Sequence, residues 1–272
     1  MILEKTVKVL EQIYNYHKIV LPRHTNVVIG LGYTAVEVAS FTHGKFLGLA
    51  YTLQELIKSS GCTKIHSAGS LVDKPLEELL HWTYGSPSLQ KIIGVATLNA
   101  ASQYVLTIKN PYHNLEEPLE EYFKIKGDTR ITFIGQINPL IRQFSKITKE
   151  ITIIERKKHI SESFLKFNCK HDITELKESE IETDVLICTG TTLVNDTLED
   201  ILKLYRKNAR YIALIGPSAS MIPDILFDYG VDLVGGMTIT DTEPVLRIIQ
   251  EAGGTKLFKQ YGKKYNLVKD QD

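Results

Sequence analysis

The densest group of hydroxyl and amide side chains in the sequence lies in one loop after the apolar run Val185–Cys188. Thr189, Gly190, Thr191 and Asn195 belong to this loop, and a predicted helix follows it. Unpaired backbone N–H groups at a helix N-terminus favour anions by about 0.3–1 kcal/mol per charge at exposed sites. Helix capping accounts for one or two of these residues, whereas a bound ligand accounts for all of them. We therefore predict that this loop binds a ligand.

A glycine and a carboxylate twenty residues apart (155 − 135) form a second group. Gly135 follows the apolar run Ile131–Ile134, and Glu155 follows the run Ile151–Ile154. In dinucleotide-binding domains a glycine loop approaches the pyrophosphate, and an acidic residue about 20 positions later binds the ribose hydroxyls. Only one glycine of the GxGxxG pattern is present. An ordinary strand-to-helix turn at Gly135 and a solvated strand end at Glu155 therefore remain open alternatives.

Three further positions are candidates for the same site. Pro217 lies in a predicted strand-to-helix loop, and Asp241 follows a Gly-Gly pair, where it equally suits the cap of the next helix. Asn99 interrupts an otherwise apolar helix, and burial of an unpaired amide costs about 1–3 kcal/mol. Asn99 therefore either ties its helix to a loop or faces a ligand between two domains. Asp196 and Glu199 have the spacing of a capping box.

Signals for a metal site or a catalytic nucleophile are weak in the sequence. Cys169 and His171 are two positions apart and share one side of an extended strand, but the chain has no CxxC, HxxxH or HExxH spacing. A structural metal site built by the protein alone is therefore not expected. Cys188 stands inside an apolar run and is predicted to be an inert core residue.

The elements that must position these loops fall into two predicted domains. Residues 1–107 contain a helix, three short β-rich runs separated by glycines, which predict an antiparallel meander, and two further helices. This is an α+β order. Residues 108–127 are polar with two prolines and are predicted to connect the domains. Residues 128–272 alternate continuous apolar runs with helical segments, which predicts a Rossmann-like parallel sheet with helices on both faces. Ligands of such sheets bind beyond the carboxyl ends of the strands, where the candidate loops lie.

Composition narrows the class of partner. The chain has 272 residues, of which 43% are hydrophobic, and its 32 basic residues balance its 32 acidic ones. A neutral chain does not suggest nucleic acid or a membrane as partner, although a local basic patch is compatible with this balance. The longest uncharged run, Ile92–Ile108, is too short and too polar to span a bilayer and predicts a buried helix. Three widely spaced cysteines give no disulfide framework and favour a cytoplasmic location.

Five segments occur in the order and spacing of a known family: GLAYT at 48–52, GVATLNA at 94–100, DVLICTGTTLVNDTLE at 184–199, GPSASMIP at 216–223 and GGMTITD at 235–241. The chain resembles the family described as "putative heavy-metal chelation", whose members join an enolase N-terminal-like domain to a Rossmann-like domain. The resemblance implies a site in the cleft between the domains. The implied ligand-binding residues are Asn99, Gly135, Glu155, Thr189, Gly190, Thr191, Asn195, Pro217 and Asp241.

Three functions remain open at this point, and catalysis is undecided. The first is binding of a small anionic or metal-bearing ligand, such as a transition metal or a metal chelate, in the cleft. Because oxygen and amide donors prefer harder cations, a small chelating molecule would then supply the ligands of a heavy metal. The second is an enzyme with an adenosine-type cofactor, either a methyl donor or a dinucleotide. The third is a non-catalytic interaction module in which Asn99, Glu155 and Asp241 satisfy one another. A homo-oligomer is compatible with all three.

Overall fold

A computed structural model describes residues 1–58, 62–156 and 160–269. The helices are α1 Ile2–Tyr16, α2 Gln54–Ile57, α3 Leu76–His81, α4 Leu89–Ile108, α5 Leu119–Tyr122, α6 Asn138–Phe144, α7 Glu178–Ile181, α8 Thr191–Val194, α9 Leu198–Tyr205, α10 Asp224–Asp228, α11 Thr242–Gln250 and α12 Thr255–Phe258. The strands are β1 Arg23–Ile29, β2 Tyr33–Ser40, β3 Gly44–Tyr51, β4 His113–Asn114, β5 Ile131–Ile134, β6 Ile151–Ile154, β7 Asn168–Lys170, β8 Thr183–Thr189, β9 Ala209–Ile215, β10 Leu233–Ile239 and β11 Gly262–Val268.

The N-terminal strands form a small antiparallel sheet. Its order is β1-β2-β3, and each strand pairs with the next along the chain, which confirms the predicted meander. Tyr33 pairs with Tyr51 at one end of the sheet, and Arg23 pairs with Ala39 near the other end. Side chains placed at the two ends of this sheet are therefore separated by the full length of its strands.

The second sheet has eight strands in the order β4-β11-β10-β9-β8-β5-β6-β7. Six neighbouring strands of this sheet, β10, β9, β8, β5, β6 and β7, are parallel. Strands β11 and β4 extend the sheet beyond β10 in antiparallel fashion. In chain order the parallel strands follow the 3-2-1-4-5-6 arrangement of doubly wound sheets. This arrangement confirms the predicted α/β class. Strands β5 and β8 are adjacent, and the direction of winding reverses between them.

The segment expected to be a connection contains structure of its own. Strand β4 lies within residues 108–127 and pairs with β11 at the edge of the large sheet, and α5 follows it. Two hydrogen-bonded positions, Asn114 with Leu267 and His113 with Val268, tie this segment to the second sheet. The domain boundaries at residues 107 and 128 stay predictions.

We call the elements from α1 to α4 the N-terminal half and those from β4 to β11 the C-terminal half. Helix α4 is the central element of the N-terminal half. Fifteen of its twenty residues are buried, which agrees with the helix predicted from the uncharged run. No helix in the described part of the chain is long and apolar enough to cross a membrane. Strand β3 lies directly on α4 at Gly48, where an added Cβ would stand 2.0 Å from the carbonyl oxygen of Ala96 and 2.2 Å from the amide nitrogen of Ala100. The glycine of the GLAYT segment is thus explained by close packing.

The two halves of the chain share one hydrophobic core. Leu186 and Cys188 of β8 belong to the same buried cluster as Leu98 of α4, whereas Val185 and Ile187 belong to a second cluster on the other face of the large sheet. Cys188 is fully buried and burial raises the pKa of its thiol, as expected for an inert core residue. The N-terminal half therefore covers one face of the sheet.

Replacing Gly48 with alanine tests the contact between β3 and α4. Because the new methyl group meets backbone atoms that cannot rotate away, we expect the free energy of unfolding to fall by about 3 kcal/mol. Urea denaturation measures this change. The matched control is Gly85→Ala, since an added Cβ there meets nothing within 4 Å and the backbone φ is −76°. Equal stability of the two variants would contradict the close approach.

A buried carboxylate also joins the two halves. The Glu37 side chain is fully buried and accepts hydrogen bonds from Thr25, Asn26 and Thr242, the last at 2.5 Å, and pairs with Lys45 at 3.2 Å. Burial alone would raise the pKa of this carboxyl, but the hydrogen bonds outweigh burial and hold the pKa below its ordinary value of 4.5. The ionised form therefore stabilises the fold.

The lowered pKa of Glu37 predicts a pH dependence of stability. Its contribution is complete above the ordinary value of 4.5 and is lost as the pH falls through the lower pKa of the folded state. We expect Glu37→Gln to be less stable than the wild type at neutral pH and the difference to shrink on acidification below 4.5. Urea denaturation across this range measures the difference, and a gap that widens at low pH would contradict the assignment.

Candidate functional site

A cleft lies at the carboxyl ends of β5, β6 and β8, where the winding of the sheet reverses. Its volume is about 490 Å³. The floor is formed by loops of the large sheet, while Tyr33 and Tyr51 of the small sheet line it from the N-terminal half. These two rings meet edge to face, with centroids 5.9 Å apart. Both halves of the chain thus contribute to one cleft.

The loop after β8 supplies most of the hydroxyl groups. Thr189, Thr191 and Asn195 line the cleft, together with Thr192 and Thr197. The Thr189 hydroxyl lies 3.3 Å from that of Thr191, and the Asn195 side-chain oxygen accepts hydrogen bonds from the hydroxyl of Thr197 at 2.7 Å and from its backbone N–H at 3.3 Å. These contacts hold the loop in one conformation. Three of the four residues predicted in this loop therefore line the cleft, and ligand binding by them stays a prediction.

The loops after β5 and β6 meet through a hydrogen bond. The backbone N–H of Gln136 donates to Glu155 Oε2 at 2.9 Å, so the carboxylate is held at the cleft. Gly135 has a φ of +93°, and an added Cβ would stand 2.6 Å from Thr189 Cγ2. A strand-to-helix turn with close packing against β8 therefore explains this glycine. The ring of His171 lies 3.2 Å from the backbone oxygen of Glu155.

The charged groups of the cleft are mostly acidic. Glu155, Asp172 and Asp200 contribute carboxylates, whereas Arg156 contributes a guanidinium, 3.7 Å from Asp172. Hydrogen bonds from the backbone and hydroxyl of Thr174 lower the pKa of Asp172 and keep it ionised. Helix α8 has only four residues, so few peptide dipoles add up at its N-terminus. The described lining therefore favours a cationic or neutral hydroxyl-bearing ligand over an anion.

Asn99 lies behind the cleft and does not line it. The side chain is fully buried, and its Nδ2 donates to Leu49 O at 2.8 Å, Ser218 O at 3.2 Å and Pro217 O at 3.4 Å. One helical turn further, the amide of Gln103 donates to Ser220 O at 2.9 Å. Of the two interpretations of Asn99, the structure favours the amide that ties its helix to a loop.

Gly190 and Pro217 form part of the wall behind the cleft lining. An added Cβ at Gly190 would stand 2.8 Å from the backbone nitrogen of Ala219, so the loops after β8 and β9 touch here. The hydroxyl of Ser218 accepts a hydrogen bond of 2.9 Å from the backbone N–H of Tyr51. The loop after β9 therefore contacts both the loop after β8 and the end of β3, and it supports the cleft without lining it.

The capping box predicted from Asp196 and Glu199 is wrong. Helix α9 begins after Thr197; Asp196 adopts a φ of +60° and forms an ion pair with the fully buried Lys91 of α4. Glu199 instead accepts a hydrogen bond of 2.6 Å from the backbone N–H of Ile2. Both carboxylates bond to groups that are distant in sequence, and a rule based on local spacing cannot reveal such partners.

Asp241 is exposed at the start of α11 and makes no side-chain cap, and it lies outside the cleft lining. The preceding Gly-Gly pair has a packing role: an added Cβ at Gly236 would stand 2.2 Å from the hydroxyl oxygen of Tyr265. That buried hydroxyl accepts a hydrogen bond of 2.8 Å from Gln103. The GGMTITD segment therefore makes room for a ring at the contact between the two halves.

The structure brings five of the nine predicted site residues to the cleft and leaves four behind or away from it. Those in the lining are Gly135, Glu155, Thr189, Thr191 and Asn195. Sequence reasoning missed Tyr33, Asp172 and Asp200, which have no motif around them. Tyr51 belongs to the GLAYT segment, so that segment was the available signal for an N-terminal contribution.

The described residues offer no ready-made metal centre. Within residues 1–58, 62–156 and 160–269, no group of three or more His, Cys, Asp or Glu side chains is placed to hold a metal ion. Cys169 Sγ lies 3.3 Å from Phe164 O, and burial raises the pKa of its thiol, which disfavours the thiolate that binds metals. The described lining residues therefore do not fit a bare metal ion held by protein ligands alone.

Comparison with solved structures shows that the fold is shared with known proteins. A DUF364 family protein of unknown function from Pyrococcus horikoshii matches with a TM-score of 0.73 and 24% identity, covering 99% of this chain and 100% of that one. A DUF364 family protein from Desulfitobacterium hafniense, also of unknown function, matches with a TM-score of 0.74 and 18% identity, covering 98% and 100% of the two chains. At these identities the likeness concerns the fold.

Comparison with sequences gives the family. Two family profiles described as "putative heavy-metal chelation" match residues 24–102 and 117–268. An uncharacterized protein of Methanocaldococcus jannaschii is 30% identical over 224 residues, which is 82% of both chains. The chain therefore belongs to the DUF364 family, whose description is "putative heavy-metal chelation", as the resemblance of its motifs implied.

The role of Asn99 as a tie is testable through stability. Asn99→Leu removes the two N–H donors that these three backbone carbonyls share and leaves the buried carbonyls without them, so we expect the free energy of unfolding to fall by about 3 kcal/mol. The control on the same helix is Ser102→Ala, because the buried Ser102 hydroxyl has no partner among the described residues. Urea denaturation compares the two variants. If Asn99→Leu were as stable as Ser102→Ala, the proposed tie would be wrong.

Proposed function

We propose that the protein binds a small organic chelator together with its metal ion in the cleft between the two halves. The observation that carries this proposal is the combination of an open cleft of about 490 Å³ rich in oxygen donors with the lack of a metal-binding cluster among the described residues. In such a site the chelator supplies the metal ligands. The protein recognises the outer surface of the complex through hydroxyl, amide and carboxylate groups.

The charge of the lining supports a metal-bearing ligand. Among the lining residues that the structure describes, Glu155, Asp172 and Asp200 outnumber Arg156, so a complex that carries positive charge is favoured and a free anionic chelator is not. The hydroxyls of Thr189 and Thr191 both donate and accept hydrogen bonds, which suits the mixed polar edge of a chelate. The family description, "putative heavy-metal chelation", also supports a function in the handling of heavy metals.

An adenosine-type cofactor is the second candidate, because one specific observation favours it. The cleft lies where the winding of a 3-2-1-4-5-6 sheet reverses, and Glu155 follows the second strand of that order, the position that binds ribose hydroxyls in dinucleotide-binding domains. The single glycine at position 135 gives weaker support than a full GxGxxG loop. The third hypothesis was an interaction module in which Asn99, Glu155 and Asp241 satisfy one another. It loses support, because Asn99 donates hydrogen bonds to backbone carbonyls instead of to these carboxylates.

The binding proposal predicts the behaviour of Glu155→Gln. Native mass spectrometry and elemental analysis of the freshly purified full chain identify what co-purifies, and calorimetry then measures binding of Ni²⁺ alone, its histidine complex, S-adenosylmethionine and NAD⁺. We expect the Ni²⁺–histidine complex to bind more tightly than Ni²⁺ alone. Since a hydrogen bond to a charged group contributes about 1.5–3 kcal/mol, Glu155→Gln is expected to weaken that binding about tenfold or more.

The matched control is Asp241→Asn, which makes the same change of charge outside the cleft lining and is expected to leave binding unchanged. Tight binding of S-adenosylmethionine or NAD⁺ that depends on Glu155 would favour the second candidate instead. Binding of Ni²⁺ alone, equal in Glu155→Gln and the wild type, would contradict the proposal. The proposal would also be contradicted if the purified chain had the mass of the polypeptide alone and bound none of the four probes.

A further inference from the structure

Two loop tips at one end of the small sheet expose large apolar side chains. Phe41 lies in the turn between β2 and β3 with 90% of its surface exposed, Val20 is 74% exposed and Tyr16 is 83% exposed. Leu21, next to Val20, is 41% exposed. Exposed apolar groups that lie together mark interaction sites, whereas single ones need no explanation. We call Tyr16, Lys18, Val20, Leu21, Arg23, Phe41 and Lys45 the hairpin-end surface.

Strand register places the two tips side by side. Arg23 pairs with Ala39, so continuing the same antiparallel register puts Leu21 opposite Phe41. The guanidinium of Arg23 lies over the Phe41 ring, 5.6 Å from its centroid. At the end of α1, His17 contacts Lys109 at 3.1 Å, which adds the end of α4 to the same neighbourhood. Ser40, the neighbour of Phe41, donates a hydrogen bond of 3.1 Å to the Tyr104 hydroxyl of α4, so the ends of α1 and α4 lie beside the hairpin and these apolar and basic groups share one region.

The charge of this region departs from that of the chain. Residues 15–25, 40–46 and 104–110 contain Lys18, Arg23, Lys45 and Lys109 but no Asp or Glu, although the whole chain is neutral. Lys45 reaches the buried Glu37 at 3.2 Å and remains 57% exposed. A local basic patch thus accompanies the exposed apolar tips. Its charge is complementary to an anionic partner.

We infer that the hairpin-end surface binds the headgroup layer of an anionic phospholipid membrane. Projecting apolar side chains enter the headgroup and acyl boundary, and basic residues beside them attract anionic lipids. Long basic side chains also extend their charged ends towards the headgroups. A stable complex with a protein partner would instead need a broad contact of roughly 800 Å² on each side, and two loop tips are too narrow to provide it. The attachment is peripheral and requires no membrane-spanning helix.

The location of this surface leaves the cleft accessible. Phe41 follows the last residue of β2, whereas Tyr33, which lines the cleft, is the first residue of that strand. Eight residues of extended strand separate the two ends by roughly 23 Å. Membrane attachment therefore neither uses nor blocks the cleft, and the inference does not depend on the proposed ligand.

Co-sedimentation of the full chain with vesicles tests this inference. We expect binding to vesicles of phosphatidylcholine mixed with phosphatidylserine, weak binding to phosphatidylcholine alone, and a loss of binding as salt is raised. Each basic residue near an anionic surface contributes about fivefold to partitioning, so Arg23→Glu is expected to reduce binding at least about tenfold. Phe41→Ser is expected to reduce it without removing the salt dependence.

Matched controls lie at the far edge of the large sheet. Leu165 is 61% exposed beside Lys166, so Leu165→Ser and Lys166→Glu make the same chemical changes away from the hairpin-end surface and are expected to leave binding intact. Loss of binding in these controls, or absence of wild-type binding to phosphatidylserine vesicles, would overturn the inference. A dimer in analytical ultracentrifugation that Phe41→Ser dissociates would assign the surface to a second copy. Binding of a single-stranded oligonucleotide without vesicle binding would assign it to nucleic acid.

Discussion

The buried amides of α4 are the interaction on which the cleft depends. Asn99 and Gln103 stand one turn apart and donate hydrogen bonds to carbonyls of the loop after β9, across more than a hundred residues of sequence. A loop at the end of a strand has no ladder to satisfy its backbone, so buried carbonyls there need side-chain donors. These amides meet that need, and they place the N-terminal half against the end of the large sheet.

The cleft is formed by this attachment and is not a property of either half alone. The loops after β5, β6 and β8 provide hydroxyl, glycine and carboxylate groups at the reversal of winding, and the small sheet adds Tyr33 and Tyr51. Lys91 supports the same junction from α4, where its buried ammonium pairs with Asp196 in the loop before α9. Because a buried charge without its partner is costly, this pair restrains the loop that carries Thr189 and Asn195.

The chemistry of the cleft follows from which donors are present. Oxygen and amide groups dominate, thiols are buried or outside the lining, and carboxylates exceed basic groups among the described lining residues. Heavy metals prefer softer ligands than these, and the chelator that we propose between the metal and the protein would reconcile the family description with this lining. At the opposite end of the small sheet, the hairpin-end surface has the reverse character, with basic and apolar side chains. The small sheet thus separates two surfaces of different chemistry.

Local patterns in the sequence determined the parallel sheet, the small meander, the buried α4 and the loops that carry Gly135, Glu155 and Thr191. Continuous apolar runs report burial on both faces, and strand ends of a parallel sheet must meet at one edge, so these predictions needed no knowledge of distant contacts. Only the tertiary structure decided that Asn99 ties two halves together, that Asp196 pairs with Lys91, and that the Gly-Gly pair accommodates a tyrosine ring. The partners in these contacts are remote in sequence, and spacing rules describe only neighbours on the same helix or strand.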